Sequence, residues 1–101
     1  MELTVTGEGV DVTEATRSHA TGQAEHLKQL FASEPEVDIC FSHDGDQVAA
    51  EIRIMVRGYR TLKAKSKADD TDIALEKAVK KAEWKYRLFF TRGSFRYSDC
   101  C

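Results

Sequence analysis

The chain has 101 residues, 42% apolar and 32% charged, with a formal net charge of −2; that length holds one core and not two. No apolar run approaches the roughly 20 residues needed to cross a bilayer, and the opening stretch has neither the basic flank nor the apolar segment of a secretory signal. Three cysteines, Cys40, Cys100 and Cys101, make no disulfide framework; Cys40 reads as a free thiol and the C-terminal pair as a frayed end, with a reactive or metal-binding tail the alternative, so the expected compartment is the cytoplasm.

The near-neutral total conceals a split. Residues 1–50 carry ten acidic and two basic side chains, a balance of −8, whereas residues 51–101 carry thirteen basic and seven acidic, a balance of +6. A basic half of this kind suits a polyanion approached from one side, and the acidic half opposes indiscriminate adhesion. The plainer reading is a solvated surface that segregates its charges.

In chain order, residues 2–6 alternate as a short strand with Leu3 and Val5 on one face, and Gly7-Glu-Gly9 turns the chain. Asp11 or Thr13 can cap a helix expected from about Thr13 to Phe31, with Glu14 placed for the Asp11 version of a capping box. Ala20, Ala24, Leu27 and Phe31, with Leu30 nearby, form its apolar stripe. Pro35 breaks the helix. Val37, Ile39 and Phe41 alternate in a second strand, Asp44-Gly45 marks a tight hairpin, and Val48, Ala50, Ile52, Ile54 and Val56 give the clearest alternation in the chain. After Gly58 a fourth strand carries Leu62 and Ala64 against Lys63, Lys65 and Lys67. Asp69-Asp70-Thr71-Asp72 then opens a second helix, where negative charge suits the positive end of its dipole. Its stripe is Leu75, Ala78, Val79, Ala82, Tyr86 and Phe89. The predicted class is α+β, ordered β-α-β-β-β-α: a four-stranded, antiparallel-rich sheet with both helices on one face.

The cations fall into two groups on this scheme. On a helical wheel Lys77, Lys80, Lys81, Trp84 and Arg87 point away from the apolar stripe, with Lys85 on the flank. Glu76 and Glu83 lie to the other side, where i,i+4 pairing with Lys80 and Arg87 is available. A Trp among cations suits stacking on a base with phosphates on either side; packing against Phe90 or Phe95 is the alternative. In the sheet, Arg53, Arg57, Lys63, Lys65 and Lys67 share the face opposite the helices, with Tyr59 and Thr61. Edge protection accounts for one or two such lysines. Five on neighbouring strands suit structured RNA recognised by backbone and shape.

Signatures of catalysis and of cofactor binding are missing. Ser42-His43-Asp44 are consecutive in a turn, whereas a triad is assembled by the fold. His43 with Asp44 and Asp46 reads as a polar turn rather than a metal site, and His19 and His26 are not at ligand spacing. Gly7-Glu-Gly9 lacks the rest of a phosphate loop. The expectation is a protein that is not an enzyme, with no cofactor, metal or small-molecule substrate.

These residues, in this order, resemble a family: the short ribosome hibernation-promoting factors and ribosome-associated inhibitors, also described as sigma-54 modulation proteins. The likeness covers about residues 1 to 88 and rests on Leu3-Thr-Val-Thr-Gly7, Val12-Thr-Glu-Ala15 with Arg17, Leu27-Lys-Gln-Leu-Phe31 and the passage from Leu62 to Leu75. In that passage Asp70, Ala74 and Leu75 hold slots of the family's D-M-Y-x-A-I element, and Lys81 holds the lysine of the D-K-L element after it. The resemblance implies the same β-α-β-β-β-α fold in residues 1–90, with 91–101 a short tail lacking the dimerisation domain of the long forms. It also implies a translation inhibitor of starved or stressed cells, bound to ribosomal RNA in the messenger and transfer RNA channel of the small subunit, monomeric off the ribosome and not membrane-bound.

This chain departs from the pattern at named positions. Thr71 and Asp72 stand at the methionine and tyrosine of D-M-Y. Gly22, Gln23 and His26 stand where first-helix lysines are common. Trp84-Lys85-Tyr86 replaces the usual R-Q-L, and the tail Phe89-Phe-Thr-Arg-Gly-Ser-Phe-Arg-Tyr97 is aromatic rather than basic. The departures shift expected RNA contact from the first helix to the second helix and sheet. The competing function is a protein-interaction or regulatory module that keeps the fold without the ribosome.

Overall fold

The computed structural model describes residues 2–30, 35–56 and 61–91, with the side chains of 88–91 left out. Its elements follow the expected order: β1 (Glu2–Glu8), α1 (Glu14–Lys28), β2 (Glu36–Asp44), β3 (Gln47–Met55), β4 (Leu62–Ala68) and α2 (Thr71–Thr91). The four strands form one sheet in the order β1-β2-β3-β4. β1 runs parallel to β2, as a helical crossover between them permits, while β2–β3 and β3–β4 are antiparallel. The sheet is therefore mixed, three of its strands antiparallel to a neighbour, and the α+β class stands.

Alternation builds the core. Val37, Ile39 and Phe41 pair across with Ile54, Ile52 and Ala50, and these in turn with Leu62, Ala64 and Ser66, so one face of the sheet is apolar. Leu27 of α1 and Leu75 of α2 close over that face, and Phe41, Ile39, Ile52, Ile54 and Val37 are all essentially inaccessible. The small residues Ala20, Ala24, Ala74, Ala78 and Ala82 are likewise buried, letting both helices approach the sheet and each other closely. Phe31 lies outside the described residues, and of Phe89 only the backbone is described.

Capping resolves the choice left open at the start of α1. Thr13, in extended conformation, accepts from the Thr16 N–H at 3.1 Å through its Oγ1, and its carbonyl takes the Arg17 N–H. The helix therefore starts at Glu14 and the Asp11 capping box is not used. A side chain at Gly7 would place its Cβ 2.3 Å from the Val10 carbonyl oxygen, which is why the chain can fold back over the end of β1 only with glycine there. Gly45, at φ +64°, supplies the left-handed turn residue of the hairpin between Asp44 and Gln47.

Candidate nucleic-acid interface

α2 presents three surfaces besides its buried stripe. Ile73, Lys77, Lys80, Trp84 and Arg87 recur at spacings of four and three and form one outward stripe; all five are exposed, Trp84 by 61% and Ile73 by 49%. The outward position read from the sequence for Lys77, Lys80, Trp84 and Arg87 is the one observed. Ile73 was not singled out in the sequence, although it lies on the same stripe.

Lys81 does not belong to that stripe. With Lys85 it occupies the flank toward β4, where Lys81 Nζ donates to the Lys65 carbonyl at 2.8 Å and Lys85 Nζ to the Lys63 carbonyl at 2.7 Å. β4 is the edge strand among the described residues, so these carbonyls have no neighbouring strand there. The two ammonium groups satisfy them and keep their charge, since the acceptors are neutral. The wheel places Lys81 only about 80° from the centre of the outward stripe, and the acceptors on β4 draw it to the sheet.

The other flank faces α1 and is acidic. His19 has Asp72 Oδ1 at 3.1 Å from Nδ1 and Glu76 Oε2 at 3.3 Å from Nε2. His26 Nε2 lies 3.5 Å from Glu83 Oε1, and Arg87 donates to Glu83 Oε2 at 2.8 Å. The Arg87 bond, and then His26, hold the Glu83 carboxyl below its ordinary value of 4.5 against the opposing pull of desolvation. The expected Glu83–Arg87 pair is thus formed, while Glu76 turns to His19 instead of Lys80. Tyr86 adds a hydroxyl bond to the Leu30 carbonyl that ties the end of α2 to the end of α1.

On the face away from the helices, Arg53, Lys63, Lys65 and Lys67 project together as expected, and Arg57 and Tyr59 lie outside the described residues. The same face is less purely cationic than the fourth strand alone suggests. The register sets Arg53 between Asp38 and Lys63, sets Glu51 beside Lys65, and brings Asp44 to within 3.1 Å of Lys67. Glu2 and Glu8 of β1 and Glu36 of β2 continue the acidic side. Across this face runs a depression of about 470 Å³, lined in strand order by Thr4, Thr6 and Glu8 of β1, Asp38, Cys40 and Ser42 of β2, Glu51 and Arg53 of β3 and Lys65 of β4.

The cations that remain accessible follow a strip around the β4 edge: Arg53, Lys63, Lys65 and Lys67, then Lys81 and Lys85, then Lys77, Lys80 and Arg87. Of these, only Lys67 and Arg87 are in ion pairs among the described residues. Lys77 to Arg87 spans about 15 Å along the helix, and Lys63 to Lys67 about 13 Å along the strand. Multiple positive charges with an exposed indole over such a length can hold several phosphates and one base. No group of three or more His, Cys, Asp or Glu side chains among the described residues is placed to hold a metal. Alternation also puts His43 on the opposite face from Ser42 and Asp44, so these three do not converge.

The profile of the family described as sigma 54 modulation protein / S30EA ribosomal protein matches residues 3–87. The chain belongs to this family. The description of the sigma 54 modulation/S30EA family names a modulator and a ribosomal protein, not an enzyme class. Among solved structures the chain is similar to the N-terminal domain of Protein Y from Thermus thermophilus, at 21% identity and a TM-score of 0.76, over 84% of this chain and 94% of that one. It is also similar to a ribosomal subunit interface protein from Coxiella burnetii, at 23% identity and a TM-score of 0.75, over 84% and 92%. No curated protein matches in sequence. At these identities the two structures share the fold, and the S30EA-type architecture of the chain follows from them. No described helix is long and apolar enough to cross a membrane.

Proposed function

We propose that this protein is a ribosome-associated hibernation factor that occupies the messenger and transfer RNA channel of the small subunit and so keeps idle ribosomes from translating. Membership of a family described by a ribosomal protein, and likeness in fold to a ribosomal subunit interface protein, support the ribosome as partner. The observation that carries the reading to RNA is the strip of cations around β4 and α2, continuous from Arg53 to Arg87. Lys63, Lys65, Lys77 and Lys80 contact phosphates, Lys81 and Lys85 add charge from the edge they close, and Trp84 stacks on an unpaired base. Binding is by charge and shape, with no covalent step.

Sedimentation of starved-cell lysate through a sucrose gradient tests the reading. Co-migration of the protein with small subunits or whole ribosomes is expected. Its presence in the soluble fraction alone would overturn the proposal in favour of a regulatory module. The channel is tested separately: excess messenger and initiator transfer RNA should displace the protein from purified small subunits.

A further inference from the structure

Among the described residues the opposite edge of the sheet is left open, and strand geometry says which groups it offers. In a strand, side chain and hydrogen-bonding groups alternate together, so residues facing the helices all turn their N–H and C=O to the same edge. In β4 those residues are Leu62, Ala64, Ser66 and Ala68, and their backbone groups face β3, because Lys63 and Lys65 present theirs outward to Lys81 and Lys85. β1 is parallel to β2, which is antiparallel to β3, which is antiparallel to β4, so β1 and β4 run the same way. Leu3, Val5 and Gly7, the helix-facing residues of β1, therefore turn their N–H and C=O away from β2, into the open edge. Nothing among the described residues bonds to them.

Two further observations define what fits there. The open-face residues beside this edge are Glu2, Thr4, Thr6 and Glu8, backed by Glu36, Asp38 and Asp44 of β2, of which only Asp44 has a cationic partner among the described residues. On the helix side the edge is bordered by the half-buried Leu3, and Val10 and Val12 fold over Gly7. A second copy is a poor occupant: antiparallel pairing of two β1 strands about Val5 would set Glu2 against Glu8 twice. A strand with cations on one face and aliphatic side chains on the other complements both borders.

We infer that the β1 edge takes up an extended, lysine- or arginine-rich segment of a partner protein as a fifth strand of the sheet. Backbone pairing supplies the affinity and the acidic border selects the charge. The site lies across the sheet from the cationic strip, so it stands or falls independently of RNA binding.

The test is a titration of the isotopically labelled full chain with an alternating Lys–Val heptapeptide, read by amide NMR. Saturable shifts and slowed hydrogen exchange at Leu3, Val5 and Gly7 are expected. The same peptide N-methylated on alternate residues keeps its charge but cannot pair, and should bind at least about tenfold more weakly. Leu3→Pro removes one outward N–H at a place where an edge strand tolerates proline and should give a similar loss, read against Leu3→Ala, which gives up the same half-buried side chain but keeps the N–H and should bind more tightly than Leu3→Pro. Glu2→Gln with Glu8→Gln should weaken binding and flatten its salt dependence. Equal binding of the N-methylated peptide, shifts mapping away from β1, or no saturation at millimolar peptide would each overturn the inference.

Discussion

At one edge of the sheet the outward carbonyls of Lys63 and Lys65 are taken up by Lys81 and Lys85; at the other, those of Leu3, Val5 and Gly7 have no partner among the described residues. The closed edge is basic and the open edge acidic. The topology explains how one chain produces both. Its strands lie side by side in chain order, so a charge split along the sequence becomes a split across the molecule. α2 repeats this on a smaller scale. Its flank toward β4 carries lysines for carbonyls, and its flank toward α1 carries carboxylates for His19 and His26. Charge is thus distributed according to what each side must satisfy.

The largest expected effect removes the platform that both edges share. Val79 is 3% exposed at the centre of the α2 stripe. An unpaired carboxylate there costs several kcal/mol, a large share of the 5–15 kcal/mol typical of a domain. Val79→Asp should therefore leave no cooperative melt by circular dichroism, whereas Trp84→Ala should melt within about 0.5 kcal/mol of the parent. A large drop for Trp84→Ala would mean that the exposed indole supports the fold after all.

The next effects separate the two sides of the molecule. Lys77 and Lys80 are exposed and make no ion pair among the described residues, so their joint replacement by Ala should weaken binding to purified small subunits without altering the melt. The slope of log affinity against log salt should fall by about 1.4, or about 0.7 for each phosphate lost. Trp84→Ala should cost about 1–3 kcal/mol in the same assay with no change in slope. Glu2→Gln with Glu8→Gln, on the open edge, should leave small-subunit affinity intact or raise it slightly; a loss there would place RNA on the wrong side of the sheet.

Most of the fold is legible in the sequence because periodicity reports burial directly: Val37–Phe41 and Val48–Ile54 alternate, and Ala20–Ala24–Leu27 and Leu75–Val79–Ala82 recur at helical spacing. The parallel pairing of β1 with β2 is not, since Leu3 and Val5 would alternate the same way in either direction. The candidate site is legible by halves. A helical wheel places Lys77, Lys80, Trp84 and Arg87 because it needs no knowledge of other elements. It misplaces Lys81, whose direction is decided by a carbonyl on β4, and it cannot pair Glu76 with His19, more than fifty residues earlier. Alternation within each strand already sets Asp38 and Glu51 on the open face with Arg53; that they sit directly beside Arg53 and Lys65 depends on register, which alternation does not reveal.

A smaller effect measures what the closed edge contributes. Replacing Lys81 and Lys85 by Met keeps their aliphatic stems but removes both bonds to β4. Each is exposed, so the pair should be worth only about 1 kcal/mol of stability by urea denaturation. At the open edge the step from Leu3→Ala to Leu3→Pro removes no bond among the described residues, the half-buried Leu3 side chain being lost in both, and should cost less. Equal losses at the two edges would mean that the lysine bonds contribute nothing.

The smallest effect lies on the α1 flank and is visible only in acid. Arg87 foremost, and His26 after it, lower the Glu83 pKa in the folded protein, so the charged carboxylate is favoured by folding. A depressed pKa contributes stability that is fully present above the ordinary carboxylate value of 4.5 and is lost as pH falls through the lower, folded value. Glu83→Gln keeps the shape and a hydrogen-bonding group but removes this titration. Its melting temperature should lie slightly below that of the parent at neutral pH, and the gap should narrow as pH falls below 4.5. Parallel melting curves across that range would show that Arg87 is held to Glu83 by packing rather than by charge, and that the α1 flank of the second helix is electrostatically idle.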